Sequence, residues 1–176
     1  LPIVWEARDM SWDLLAEGEV AFGEPGTIGF TPESDGIYAL SLNSGGSAIT
    51  LNSTNVPVGI YGGRGMRTIG GPWTLYFYVP EGTESFSITG RGWRQETVRL
   101  NIYDPPGEMV ATAQTTPEDS TATAEAEVPD GADDATWTLE IARADTGLTL
   151  EDVQLSMSKE VPPVLSLIPE HVFTRR

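Results

Sequence analysis

At 176 residues and 39% hydrophobic content, the chain is long enough to bury one core of ordinary size without cross-links. Its 26 acidic residues against 10 basic ones give a formal charge of −16, the reverse of what binding to nucleic acid or an anionic lipid surface requires, and no apolar run approaches a bilayer span. It has no cysteine, which excludes disulfides, thiolate catalysis and Cys-ligated zinc, and its single histidine, His171, excludes a multi-histidine metal site within one chain.

In chain order, residues 9–17 read as a helix of one or two turns, with Gly18 as its stop. Shorter strand candidates follow at 27–30, 48–53 and 57–61, and Tyr38, Leu40 and Leu42 alternate between them. Over 73–79 the odd positions, Trp73, Leu75, Phe77 and Val79, share one face. Phe86 and Ile88 do the same, as do Val98, Leu100 and Ile102, and Trp137, Leu139 and Ile141. Alternation with period two marks strands that lay one face on a core. Residues 109–115 and 122–128 are further candidates, though the Thr-, Ala- and Glu-rich stretch 115–127 also reads as a long mobile hairpin rather than ordered strand. In the last long strand Leu148 and Leu150 alternate, then Val153, Leu155 and Met157; the slip at Glu151-Asp152 predicts a β-bulge. Trp5, Trp12, Trp73 and Trp137 are assigned to the core, three of them by strand phase.

Turn chemistry separates these segments: Pro80-Glu81-Gly82-Thr83, Asp104-Pro105-Pro106-Gly107 and Pro129-Asp130-Gly131 pair a residue of preset φ with one that accepts positive φ. The expectation is an all-β, antiparallel β-sandwich of the jelly-roll type over 1–158. Residues 159–176 hold three prolines and the apolar patch 164–168, and read as a linker toward another module or a strap along the sandwich. No basic-then-apolar leader opens the sequence, so a removed export signal is expected. An acidic surface with one lysine, Lys159, fits a secreted or cell-surface setting.

Consecutive antiparallel strands reverse direction, so successive loops alternate between the two ends of a sandwich. Counting from 73–79, the loop 90–96 falls at the same end as the loop 61–67, and the segments 43–47 and 143–146 fall there too. Arg64, Arg67, Arg91 and Arg94 would then converge with Tyr61 and Trp93 on one pole of an acidic domain, joined by Arg143. A flat aromatic face packs on the C–H face of a pyranose, and guanidinium forks reach hydroxyls, carboxylates or sulfates. The competing reading is a solvated hairpin tip whose arginines pair with nearby acids, with Trp93 folded onto the core. For Tyr76 and Tyr78 on the outward face of 73–79, packing against Arg99 and Tyr103 competes with a sugar platform.

The chain carries two family resemblances. Trp5-Glu6-Ala7-Arg8-Asp9, the Gly36-Ile37-Tyr38-Ala39-Leu40 strand and Leu150 to Leu155 resemble the opening, second and closing strands of carbohydrate-binding modules with the galactose-binding jelly-roll fold. That resemblance implies a structural calcium held by Glu6 and Asp152; Arg8 stands where the family has a second glutamate. The middle of the chain, 75–80 with 98–107, is similar to bacterial pre-peptidase C-terminal domains, accessory β-sandwiches of secreted hydrolases. Both imply an accessory module attached to other domains of the same polypeptide.

Catalysis finds little footing. No nucleophile elbow surrounds His171, and Gly62-Gly63-Arg64-Gly65 lacks the lysine and helix of a phosphate loop. Asp130, Asp133 and Asp134 do not follow EF-hand spacing. The expected function is therefore a non-catalytic accessory module of a secreted bacterial protein that binds polysaccharide, including anionic polysaccharide, through loops at one end. The alternative is a structural or protein-interaction module without glycan affinity.

Overall fold

A computed structural model of the chain describes residues 1–63, 65–93 and 96–174. Every sheet is antiparallel, and among the described residues the only helical element is a 3-10 turn at Pro169–His171. The chain divides into two compact units, Leu1–Ser53 and Thr54–Arg176, where the sequence suggested one domain over 1–158 and a tail.

The first unit is a three-stranded sheet with β1 (Ile3–Arg8) between β2 (Leu14–Val20) and β3 (Ala39–Asn43). Its register puts Ile3, Trp5, Ala7, Ala16, Gly18, Val20, Leu40 and Leu42 on one face. Trp5 lies opposite Gly18, and a Cβ there would come within 2.8 Å of the indole, so the ring occupies the space a side chain would need.

The helix expected over 9–17 does not form. The Asp9 carboxylate instead accepts from the backbone N–H of Ser11 (2.8 Å) and Asp13 (2.9 Å), closing a tight turn in which Trp12 takes a φ of 69°. A short acidic side chain that captures nearby N–H groups offers the backbone an alternative to helix. The chain then leaves as β2, whose residues alternate rather than wind. Trp12 projects from this turn and is 54% exposed, so it is not a core residue. No strand forms at 27–30 or 48–53.

The second unit opens with β4 (Ile60–Tyr61), the only paired part of 57–61, and β5 (Met66–Ile69). There follow β6 (Trp73–Val79), β7 (Ser85–Gly92), β8 (Val98–Tyr103), β9 (Met109–Gln114), β10 (Thr121–Glu127), β11 (Ala135–Arg143), β12 (Asp152–Met157) and β13 (Val164–Leu165). They build two four-stranded sheets, in orders β10-β7-β12-β5 and β6-β11-β8-β9, and a two-stranded pair, β13-β4. The inward phases of both large sheets supply one hydrophobic cluster. Leu75, Phe77, Val79, Leu100, Ile102, Trp137, Leu139 and Ile141 come from one sheet, and Phe86, Ile88, Ala124, Ala126, Val153 and Leu155 from the other. At its centre Phe86 meets both Phe77 and Trp137 edge to face, with centroids 5.5 and 5.2 Å apart. The buried Trp137 Nε1 donates to the Ala132 carbonyl (2.7 Å), so burial leaves this indole N–H bonded.

Trp73 shares the core phase, opposite the buried Ile141, but sits at the end of an edge strand. It is 37% exposed, donates from Nε1 to the Gly70 carbonyl (2.8 Å), and is not core. The phase slip at 151–152 is the entry to β12 rather than a bulge, because β12 begins at Asp152. Residues 121–127 form a regular strand paired with β7 throughout.

Residues 159–174 are held by the second unit. Val161 and Leu165 belong to its core cluster. Ser166 exchanges two backbone hydrogen bonds with Tyr76 (both 2.8 Å), and its Oγ donates to the His171 carbonyl (2.9 Å). This segment covers the free edge of β6, where unpaired N–H and C=O groups would otherwise offer a template for another strand.

Candidate functional site

Four strands bring the candidate residues together by register. Reading across the β10-β7-β12-β5 sheet, Thr121 pairs with Arg91, Arg91 with Gln154, and Gln154 with Arg67. The alternate positions of β7 and β12, among them Phe86, Ile88, Val153 and Leu155, point into the core, so this row points out. Arg67 and Arg91 thus lie on an exposed sheet face with one strand, β12, between them. Both lie in strands, β5 and β7, rather than in loop tips.

Trp93 stands just beyond β7. Its loop is held by a hydrogen bond from Gly92 N to Ser120 O (3.0 Å) and another from Glu96 N to Trp93 O (3.1 Å). Gly92 is needed there, because a Cβ would collide with the Glu96 carbonyl. The Trp93 ring is 47% exposed, and the Arg67 guanidinium stacks over it at 5.2 Å from the centroid. A cation over an indole face contributes about 0.5–1 kcal/mol at an exposed site. Arg67 is held at the same time by Asp152, whose Oδ2 lies 2.7 Å from its Nη2. The Asp152 backbone N–H donates to the Glu96 carboxylate (2.7 Å), which ties the loop to the start of β12.

Arg67, Arg91, Trp93, Asp152 and Gln154 line a small cleft of about 50 Å³. Enclosing ligand pockets run to about 300–1,000 Å³, so this cleft has room for a single small substituent and not for a whole ligand. Two guanidiniums and one carboxylate, that of Asp152, line it. Among the described residues Arg91 makes no ion pair.

The other sequence-predicted residues fall elsewhere. Tyr61 is in β4, opposite Val164, and is not among the residues lining the cleft. Its ring lies over Gly63, where any side chain would collide with it. Arg64 and Arg94 lie outside the described residues. Arg143 ends β11, opposite Val98, in the other large sheet, and Asn43 to Ser47 lies in the first unit. Of the two carboxylates implied for calcium, Glu6 is paired with Arg8 (2.9 Å) in the first unit and Asp152 with Arg67 in the second. Among the described residues no group of three or more His, Cys, Asp or Glu side chains is arranged to hold a metal.

Sequence reasoning did not reach Asp152 as the partner of Arg67, nor Gln154 between the arginines. The signal available was the phase of β12, where Asp152, Gln154 and Ser156 alternate with Val153 and Leu155. On the outward face of the β6-β11-β8-β9 sheet, Glu140 accepts from Asn101 (2.6 Å) and Tyr103 (3.0 Å). Burial first, then the hydrogen bond to Glu140, raises the Tyr103 phenol above its ordinary range. Tyr78 donates to Asp134, which raises its phenol as well. Tyr103 is engaged within its own sheet, and Tyr78 by the residue that precedes β11.

No protein-family model matches this sequence, and no curated protein or solved structure matches it.

Proposed function

We propose that the chain is a non-catalytic accessory module of a secreted or cell-surface protein, built on a β-sandwich of jelly-roll type, and that it binds an anionic polysaccharide through Arg67, Arg91 and Trp93. The sandwich reading is supported by the two four-stranded sheets that share one core. A second support is Leu100, whose Cδ1 would lie 3.0 Å from a Cβ on Gly90 of the facing sheet.

The observation that carries the binding reading is the Arg67–Trp93 stack beside Arg91, which makes no ion pair among the described residues, on the exposed face of a chain of charge −16. Cationic forks beside an exposed indole suit a sugar ring bearing carboxylate or sulfate. The small cleft fits such a group with the ring outside it. Shallow sites of this kind bind with dissociation constants of roughly micromolar to millimolar, about 4–8 kcal/mol. The non-catalytic reading is supported by the one histidine, beside which the Ser166 hydroxyl donates to main-chain carbonyl.

The test is calorimetric titration with polygalacturonate, dextran sulfate and neutral dextran. Binding of either polyanion, weakened by added salt and lost in Trp93→Ala with an unchanged melting temperature, is the expected result. The two polyanions separate carboxylate from sulfate preference. Equal affinity of Trp93→Ala and the parent would dissolve the site.

A structural or interaction module without glycan affinity is the second reading. It is favoured by the first unit, in which Ala7 is the one buried hydrophobic residue among those described, while Leu14, Leu15, Leu40 and Leu42 are exposed. Absence of binding in every titration would leave that reading.

A further inference from the structure

We infer that Asp152 is a built-in competitor for the ligand anion: it occupies Arg67 in the free protein and sets how tightly, and how selectively, the cleft takes a charged group. This rests on the proposed polysaccharide site. Arg67 has two partners, the Trp93 ring at 5.2 Å and the Asp152 carboxylate at 2.7 Å. The stack leaves its N–H edge available for an in-plane acceptor, and Asp152 fills that role from the next strand, beside the cleft it helps line. A ligand carboxylate or sulfate reaching the same edge must displace Asp152 or share Arg67 with it.

The balance is close enough to be overturned by a ligand. The Arg67 side chain is 54% exposed and that of Asp152 25% exposed, so solvent screens the pair. Exposed ion pairs of this kind contribute a factor of about five or less to an equilibrium constant. A polyanion that engages Arg91 first brings its next charged group to Arg67 at high local concentration. Asp152 therefore does not close the site. It raises the threshold, so that ligands with repeated charge are favoured over isolated small anions.

Asp152→Asn keeps the shape of the side chain and the backbone N–H bond to Glu96. It frees Arg67 and removes a like charge that faces the ligand within a few ångströms, worth a further factor of about five in water-like dielectric. The expected result is binding to dextran sulfate tightened about tenfold, with a steeper salt dependence and an unchanged melting temperature. Glu151→Gln removes the same charge from the neighbouring exposed residue and should change affinity less than about twofold, because screening weakens distant exposed charges. Arg67→Gln should itself weaken binding, and in that background Asp152→Asn should keep only the part of its gain that comes from removing the like charge. That non-additivity separates competition for Arg67 from a general change of field.

If the parent binds and Asp152→Asn binds equally or more weakly, Asp152 positions Arg67 for the ligand and the inference is overturned alone. If Glu151→Gln gains as much as Asp152→Asn, the effect is net charge and the inference is again overturned. If neither parent nor variant binds any polyanion, the polysaccharide reading falls and takes the inference with it.

Discussion

Leu165→Ala tests whether the C-terminal segment is part of the second unit's core or a linker lying against it. Leu165 is 1% exposed, belongs to the core cluster, and sits in a two-residue strand paired with Ile60. The substitution deletes roughly three methylene equivalents at about 0.8 kcal/mol each, or about 2.4 kcal/mol of transfer free energy. The cavity left behind adds to this, and buried Leu→Ala changes span about 2–5 kcal/mol, so about 3 kcal/mol is expected. With an m-value of about 2 kcal/mol/M in urea, the unfolding midpoint falls by about 1.5 M. Leu167→Ala is the control: two residues on, the side chain is 54% exposed, and its loss should stay within about 0.5 kcal/mol. Urea unfolding followed by circular dichroism measures both. A linker has no such asymmetry, so indistinguishable midpoints for the two variants would refute the placement of 159–174 in the core.

Two further outcomes follow from the side-chain environments. Tyr103 and Tyr78 should ionise above the ordinary phenol range in an alkaline titration read by phenolate absorbance, and Tyr103→Phe should remove part of that late step. A raised folded-state pKa contributes stability that is fully present below the unfolded tyrosine range, and that stability is lost as pH rises through the raised values. Calcium would have to displace Arg8 from Glu6 and Arg67 from Asp152, so the melting temperature should be the same in calcium and in chelator; a cation bound only to the native state would raise it by mass action.

The parts of the fold legible in the sequence are those where one sheet face meets the core over three or more alternations. Leu75, Phe77 and Val79, Val98, Leu100 and Ile102, and Trp137, Leu139 and Ile141 are of this kind, and all are buried. Period two is a local signal, and burial on one side is enough to write it. Whether an apolar run finds a partner strand is a non-local matter. Residues 27–30 and 48–53 have suitable composition and pair with nothing, while Thr121–Glu127, poor in large hydrophobics, pairs with β7 along its whole length. Strand propensity measures fit to neighbours, and the neighbours are set elsewhere in the chain. The 9–17 segment fails differently: Leu14 and Leu15 suit helix or strand, and the Asp9 carboxylate decides between them by closing a turn first.

The site was legible as a set of segments but not as a set of contacts. Counting strand directions brings the regions of Arg67 and Arg91 near each other, yet it treats 61–67 as a loop, whereas Arg67 lies in β5. What seats Arg67, Gln154 and Arg91 in one row is the pairing of β5 with β12 and of β12 with β7, and no local pattern encodes either. Composition is equally silent on which arginines are neutralised. With 26 acids, every cation has candidate partners, and proximity in sequence does not choose among them. Arg8 takes Glu6, two residues away, while Arg99 takes Asp145 at a separation of 46 and Arg67 takes Asp152 at 85. Among the described arginines Arg91 and Arg143 make no ion pair, and of these only Arg91 stands beside an exposed indole. An anion approaching the sheet face therefore meets one guanidinium without a carboxylate partner and one on loan to Asp152, a distinction that only register could draw.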